Sequence, residues 1–556
     1  MHFLMAVALI APSVTSTAYA VETTSQQSSE AVTSTTDSSR KQEPIITQET
    51  TDIKQEAPNQ ATSDSVKQLQ ETTAPTETTN LETSTAEKEE TSTPQKITIL
   101  GTSDVHGQLW NWSYEDDKEL PVGLSQVSTV VNQVRAQNPA GTVLIDNGDN
   151  IQGTILTDDL YNKAPLVNEK THPMITAMNV MKYDAMVLGN HEFNFGLPLI
   201  QKIQQEATFP ILSANTYNKE DGRRFVEGTT TKELDFNQDG QPDLKVGIIG
   251  LTIPHIPLWD GPLVTSLNFL PLKEEAEKAV AELKTNDQAD IIVASIHAGQ
   301  QNSDPAASAD QVIENVAGID AYILGHDHLS FTKQGAAPNG KTVPVGGPKD
   351  TGTEVVKIDL SVAKNADKWE VQEGTATIVP TTNVPADEAV KAATKEYHEQ
   401  TRAFIQEEIG TATADFLPKQ EIKGIPEAQL QPTAMISLIN NVQKEVTGAQ
   451  LSAAALFKYD SKLPAGKISY ATIFDIYKYP NTLVSVPING ENLLKYLEKQ
   501  GAYYNQTQPD DLTISFNPNI RVYNYDMISG VDYKIDISKP VGERIVDAKI
   551  DGQPLD

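Results

Sequence analysis

The chain contains no cysteine. Disulfide frameworks and thiolate zinc sites are thereby excluded, and any metal must be held by His, Asp, Asn or Glu. Aromatic residues are scarce at 6%, and a hydrophobic share of 38% is low for a chain of 556 residues. Both points suggest an unfolded portion beside two or three folded domains. Positive charge is short as well: 43 basic against 75 acidic residues leave a formal net charge of −32. Such a surface repels polyanions and excludes groove binding of nucleic acid through a basic patch. Bound cations can still invert the local field, so an acidic enzyme can act on phosphates. No run is both long and apolar enough to span a bilayer.

The opening stretch, MHFLMAVALIAPSVTSTAYA, joins an apolar run to Ala-Tyr-Ala but lacks a basic start. Residues 1–20 therefore read as an incomplete secretory signal peptide, which places the protein outside the cell or at the cell surface or wall. From Val21 to Gln95 glycine and aromatics are absent, while Thr, Ser and Glu dominate. This stretch cannot bury enough apolar surface to offset its ordering entropy, and it reads as a disordered spacer. It carries 5 basic and 14 acidic residues, so about −23 of the −32 charge stays with the folded part.

At Lys96 the pattern changes. Short apolar runs recur, each ending in a polar turn: KITIL, TVLIDNGD, DAMVLGNHE, KVGIIGLT, ADIIVASIHAG and DAYILGHDH. Segments with apolar residues three and four apart, such as GLSQVSTVVNQVRAQ and LKEEAEKAVAELKT, lie between them and predict helices. Alternating strands and helices predict an α/β layered domain over 96–383. A helical connector, ADEAVKAATKEYHEQTRAFIQEEIG, follows over 384–410, and a second α/β domain occupies 411–556. That domain stops at IDGQPLD with no closing strand and reads as truncated.

Open α/β sheets place their ligands at the C-terminal ends of strands, and the chemistry-bearing residues gather there. The first tip offers Asp104 and His106, the second Asp149, and the third Asn190 and His191. His297 follows in SIHAG, and His326 and His328 in GHDH. Any one of these alone reads better as a hydrogen-bonded structural residue or a turn. Five of the nine histidines in four such phrases do not. Glycines beside most of them let the backbone turn and let ligating side chains converge without Cβ crowding. A donor set of nitrogen and oxygen alone suits Mn, Fe, Zn, Co or Ni. Seven ligands with one bridging carboxylate fit two ions about 3.5–4 Å apart, as in two-metal hydrolases.

The series DxH, GD, GNHE, HAG and GHDH resembles the calcineurin-like metallophosphoesterases, and more narrowly the two-domain 5′-nucleotidase superfamily. GNHEFNFG, GHDH, the ALFK phrase at Ala455–Lys458 and YNYDMISGVDYKIDISKPVGERI resemble its 2′,3′-cyclic-nucleotide 2′-phosphodiesterase/3′-nucleotidase branch. The resemblance runs from about Lys96 to Asp556. It implies a layered α/β/β/α catalytic domain followed by a substrate domain of the 5′-nucleotidase C-terminal type. It also implies Asp104, His106, Asp149 and His328 around one ion and Asp149, Asn190, His297 and His326 around the other. The implied reaction is in-line attack on phosphorus by a metal-bridging hydroxide, with His191 stabilising the transferring phosphoryl group or the departing oxygen. Relatives with 5′-nucleotidase activity carry Asp where this chain has Asn194, which can accept a hydrogen bond but adds no charge. In YKYPNTL the family implies Tyr479 as a stacking platform for the substrate base and Asn481 as a hydrogen-bonder at its edge.

Weaker signals remain. Asp235, Asn237, Asp239 and Asp243 alternate around Gly240 like the start of a calcium loop, but Val246 stands where its last acidic ligand belongs. A hairpin turn at QDG is the competing reading. Trp112 and Tyr114 in NWSYEDDKEL read as a surface loop rather than a site wall, and His172 and His255 as structural. The leading expectation is an exported dinuclear-metal phosphohydrolase that takes a nucleotide substrate in scavenging. The alternatives are a 5′-nucleotidase or nucleotide-sugar hydrolase, and a surface binding protein on a catalytically retired scaffold.

Overall fold

The computed structural model describes residues 2–9, 93–163, 169–338, 340–366, 368–419, 421–477 and 482–555. The spacer up to residue 92 lies outside the described residues, and so do Tyr479 and Asn481. In chain order, the strands that matter here are β1 (His2–Leu9), β2 (Gln95–Thr102), β3 (Thr142–Asp146), β4 (Ala185–Val187) and β5 (Ile211–Leu212). Next come β6 (Thr229–Leu234), β7 (Leu244–Thr252), β8 (Ile291–His297), β9 (Ala321–Leu324), β10 (Phe331–Ala336) and β11 (Thr342–Gly347). The long pair β12 (Glu354–Asn365) and β13 (Lys368–Pro380) closes this domain.

These strands form two six-stranded sheets, ordered β13-β12-β2-β3-β4-β5 and β10-β11-β9-β8-β7-β6. In the first sheet β2 to β5 run parallel, and β12 pairs antiparallel with both β2 and β13; in the second β11, β9, β8 and β7 run parallel and the edge strands β10 and β6 pair antiparallel. Ile97, Ile99, Val143 and Ile145 from the first sheet meet Val246, Ile248, Val293 and Ile323 from the second in one buried layer. The opposite faces, with Leu100, Leu144, Leu251 and Leu324, pack under helices. Strands covered on both sides need apolar residues at every position, which is why TVLID is buried throughout. Helix α1 (Leu124–Gln137) buries Leu124, Val127, Val130, Val131 and Val134, one face at helical spacing. Helix α2 (Pro173–Met181) starts with Pro at its first position and a His172 side chain that accepts from the Met174 N–H. The result is the α/β/β/α layering expected from the sequence.

Within the stretch read as connector lies a helix, Glu388–Ile405. The Nδ1 of its Trp110-stacked His398 shares a hydrogen bond with the Tyr114 hydroxyl at 2.9 Å, and Trp112 sits under the Arg402 guanidinium. Trp112 and Tyr114 thus seat this helix; Tyr114 is buried, so the surface-loop reading of the two is corrected. The C-terminal region builds its own sheet. Strand β1 lies between Thr482–Asn489, antiparallel, and Leu451–Ala454, parallel, with Met5 and Ala6 buried. The apolar run that reads as the core of an export signal is here a sheet strand.

Candidate metal centre

Five strand tips converge. Strands β2, β3 and β4 of one sheet and β8 and β9 of the other deliver their C-terminal ends to the same edge of the sandwich. The first two loops run side by side, with the Asp104 N–H donating to Gly148 O at 2.9 Å and the His106 N–H to Asp149 O at 2.8 Å. Asp104, His106, Asp149, His326 and His328 all have positive φ, between 49° and 73°. They are five of the thirteen non-glycine residues with that conformation among the described residues. Each such residue costs roughly 1 kcal/mol or more and persists only where its surroundings enforce it. The strain falls on the candidate ligands themselves.

Two groups form. In one, His328 Nε2 stands 3.1 Å from His106 Nε2 and 3.3 Å from Asp104 Oδ1. In the other, His297 Nε2 lies 3.1 Å from Asp149 Oδ2, and the Asn190 Oδ1 is 3.2 Å from His297 Nε2 and 2.8 Å from His326 Nδ1. Asp104, His106 and His328, and separately Asp149, His297 and His326, place ligand atoms within 4.8 Å of one another. His297 is 4.0 Å from Asp104 and so joins the two groups. Every residue that the resemblance implies as a ligand is at this edge.

The electrostatics suit a cation. Burial acts to raise the Asp104 carboxyl, but the charge of His297 and the bond from His328 outweigh it and hold it down at about 2. Asp149 is likewise held well below its ordinary range, with His297 and His191 overcoming burial. His297 is pushed up to about 10 against its burial by Asp149 and Asp104. Burial, with His297 beside it, takes His326 down to about 4, and burial lowers His106 too. The ionised carboxylates and the neutral His106 and His326 are in the state that divalent metals require, while His297, held protonated between Asp149 and Asp104, would release its proton when a metal binds. His297 donates Nδ1–H to the Asn147 carbonyl at 2.6 Å, which turns Nε2 toward the carboxylates. These residues fit a pair of divalent cations.

Glycine plays two parts. Gly148 takes φ 92° and turns the chain. Gly189 and Gly325 have no such φ; a Cβ on Gly189 would lie 2.2 Å from Asp149 Oδ1, and one on Gly325 2.0 Å from Ser103 Oγ and 2.8 Å from Asp104 Oδ2. These two are small so that the carboxylates can come close.

His191 sits beside this centre. Its N–H donates to Asp149 Oδ1 at 2.7 Å, and its ring is edge-on to His106 with centroids 5.2 Å apart. Its Nδ1 is 2.7 Å from Asn194 Oδ1. Sequence reasoning missed Glu192, which is fully buried and accepts from the N–H groups of Asp149, Asn150 and Gly189 at 2.7–2.8 Å. It pins the second loop to the third. Its presence inside GNHE was visible, but its burial was not. His172 and His255 lie away from the centre: one caps α2 and the other pairs with Asp304 at 2.9 Å.

The segment of the calcium candidate has the hairpin connection of the competing reading. Residues 235–243 join antiparallel β6 and β7, and the side chains close the turn. Asp235 accepts from the Gly240 N–H at 2.8 Å, Asp239 from Gln241 and Asp243 from Phe236, also at 2.8 Å. Neither of the two possible metal-holding groups found among the described residues includes them.

Comparison with known proteins agrees with this geometry. Residues 97–330 match the calcineurin-like phosphoesterase family, and residues 408–556 the 5′-nucleotidase C-terminal domain. The chain is 30% identical to the trifunctional nucleotide phosphoesterase YfkN of Bacillus subtilis over 84% of its length, and spans 35% of that longer protein. A crystal structure of YfkN superposes with a TM-score of 0.52 over 57% of this chain and 100% of that one, at 30% identity. A 2′,3′-cyclic-nucleotide 2′-phosphodiesterase/3′-nucleotidase of Haemophilus influenzae is 29% identical over 83% of this chain and 78% of the relative. A 5′-nucleotidase of Vibrio vulnificus is 26% identical over 73% and 75%. With a phosphoesterase centre ahead of a nucleotidase-type domain, the chain belongs to the two-domain 5′-nucleotidase superfamily of calcineurin-like metallophosphoesterases, and it is a hydrolase of phosphoesters.

Proposed function

We propose that this protein is an exported hydrolase of 2′,3′-cyclic nucleotides and 3′-nucleotides that serves nucleotide scavenging and works with two divalent cations of the Mn, Zn, Fe or Co type. The observation that carries this reading is the pair of ligand groups joined through His297, with His191 at their rim. The activity for which the Haemophilus influenzae relative is named and the phrase GNHEFNFG support the choice of substrate. Bound cations would supply Lewis-acid polarisation of the phosphoryl oxygens and of the attacking water. The chain's own part is to hold Asp104 and Asp149 ionised, to keep the imidazoles in ligating tautomers and to set His191 against the departing oxygen. Tyr479 and Asn481 would receive the base.

The test is metal analysis of the purified protein together with rates on 2′,3′-cyclic AMP, 3′-AMP and 5′-AMP in added Mn. The proposal expects the first two to be turned over fastest. Preference for 5′-AMP would move the protein to the 5′-nucleotidase reading, which the Vibrio vulnificus relative favours. Two bound metals with no hydrolysis of any of the three would favour the retired scaffold.

A further inference from the structure

The hydrogen-bond chain from His191 does not stop at Asn194. The Asn194 Nδ2 group donates to Asp260 Oδ2 at 3.0 Å. Asp260 ends the short helix α3 (Ile256–Asp260), whose preceding residue, Trp259, lies against the His326 ring with centroids 5.8 Å apart. The segment is also tied down at its start, where His255 pairs with Asp304 at 2.9 Å. It is therefore a fixed wall beside the metal centre.

An ionised carboxylate only accepts hydrogen bonds, whereas an amide side chain has one accepting and one donating end. Asp260 therefore dictates which way Asn194 points: its NH₂ must face the carboxylate, and its Oδ1 must face His191. That oxygen in turn only accepts, so His191 Nδ1 must carry the hydrogen of the 2.7 Å bond. Nε2, which makes no hydrogen bond among the described residues, is left as the ring atom that meets the substrate. Without Asp260 the amide is free to turn over, offer its NH₂ to Nδ1 and reverse the tautomer.

We propose that Asp260 is a positioning residue for His191. Through the Asn194 amide it sets the tautomer and orientation of the ring, so that Nε2 faces the departing oxygen of a phosphoester. The part played toward substrate rests on the function proposed above; the tautomer does not. The three residues do together what a carboxylate placed directly on His191 would do alone.

The experiment compares the wild type, Asp260→Asn, and Asp260→Asn combined with Asn194→Asp. Steady-state rates are taken on 3′-AMP and on p-nitrophenyl phosphate, whose leaving group departs without a proton, and bound metal is measured in each protein. The expected result is that Asp260→Asn lowers kcat on 3′-AMP by about 10- to 100-fold, the range for groups that orient active-site imidazoles. KM and metal content should hold, and the loss on p-nitrophenyl phosphate should be smaller. Asn194→Asp, which supplies an acceptor directly to Nδ1, should restore most of the lost rate. An unchanged kcat, a loss that Asn194→Asp does not repair, or a loss that tracks metal content would overturn the proposal. Ring ¹⁵N shifts of His191, assigned through a His191→Gln variant, read the tautomer without turnover. They should report hydrogen on Nδ1 in the wild type and a mixture in Asp260→Asn; identical spectra would overturn it. If the wild type hydrolyses no nucleotide, the proposed function falls while the ring spectra still decide the role of Asp260.

Discussion

Two edges of the catalytic domain carry acidic residues beside glycine at strand ends, and they do opposite things. At the convergent edge, Asp104 and Asp149 come from different strands, are buried and face imidazoles from the other sheet. In the β6–β7 hairpin, Asp235, Asp239 and Asp243 come from one loop and spend their oxygens on backbone N–H groups a few residues away. Residue type and glycine spacing are alike in the two places. What differs is whether the backbone nearby can satisfy the carboxylate. In the hairpin it does, and the positive φ values fall on Gln238 and Gly240 rather than on the acids. At the convergent edge the acids face ring nitrogens, and the ligands bear positive φ. An acidic turn becomes a cation site when tertiary structure, not its own loop, supplies its partners.

The sharpest way to break this contrast is at Asp149, the carboxylate of the second group. Asp149→Asn removes a buried charge facing His297 and turns one of its two oxygens into a donor, while the other can still accept the His191 backbone N–H. Phosphoester hydrolysis should fall by about a hundred- to a thousandfold, as when a preorganised charge partner is lost from a transition-state site. Metal analysis before and after dialysis against a chelator should show weaker retention than in the wild type. Equal activity and equal metal content would mean that the convergent edge is, like the hairpin, only a turn.

A smaller effect is expected from closing the approach rather than removing a ligand. Gly325→Ala would place a Cβ within 2.8 Å of Asp104 Oδ2 and closer still to Ser103 Oγ. Overpacking of this kind costs about 1–3 kcal/mol, and because the displaced atom is a ligand oxygen, activity should drop by roughly 10- to 100-fold. Gly240→Ala in the hairpin, where no atom lies within 4 Å but φ is 87°, should cost stability alone. Thermal melts and rates on the same two proteins separate the cases.

Much of this edge was legible in the sequence because of how the layers form. Strands buried on both faces write themselves as unbroken apolar runs, so their ends are sharply marked by the first polar residue. TVLID followed by NGD, and IIVASIH followed by AG, show the effect. The parts that escaped are those defined by burial or by distant partners. Glu192 looks like any acidic residue in a turn until three backbone N–H groups close on it. Asp260, sixty-six residues beyond Asn194, carries no local signal at all. The leader reading of the first twenty residues drew on an apolar run followed by Ala-Tyr-Ala. Apolarity suits a strand as well as an export signal, and β1 takes its place through neighbours more than four hundred residues away.

Histidines make the same contrast through pH. His172 is fully buried away from the metal edge, where its Nδ1 accepts from the Met174 N–H, and burial, with Lys202 beside it, takes its pKa down to about 3. The unfolded chain protonates this side chain near 6.5, so below that pH the unfolded state binds more protons than the folded one. The stability it contributes is present in full above about 6.5 and declines as pH falls toward 3, by up to about 1.4 kcal/mol per unit. Denaturant midpoints measured between pH 7 and 5 should fall in the wild type. They should fall less steeply in His172→Asn, which keeps a capping acceptor without a titrating ring.

The smallest effect is expected where the acidic loop is self-contained. Asp235→Ala removes the acceptor for the Gly240 and Asp239 N–H groups at 2.8 and 3.2 Å, bonds worth about 1 kcal/mol between them in a partly exposed turn. Hydrolysis rates and their dependence on added metal should match the wild type, because the loop lies between β6 and β7 and shares no residue with the convergent edge. Calorimetric titration with calcium should give no difference between variant and wild type. A calcium-dependent rise in melting temperature that the variant loses would show that local satisfaction of a carboxylate does not stop it from binding a cation, and the distinction drawn between the two edges would fail.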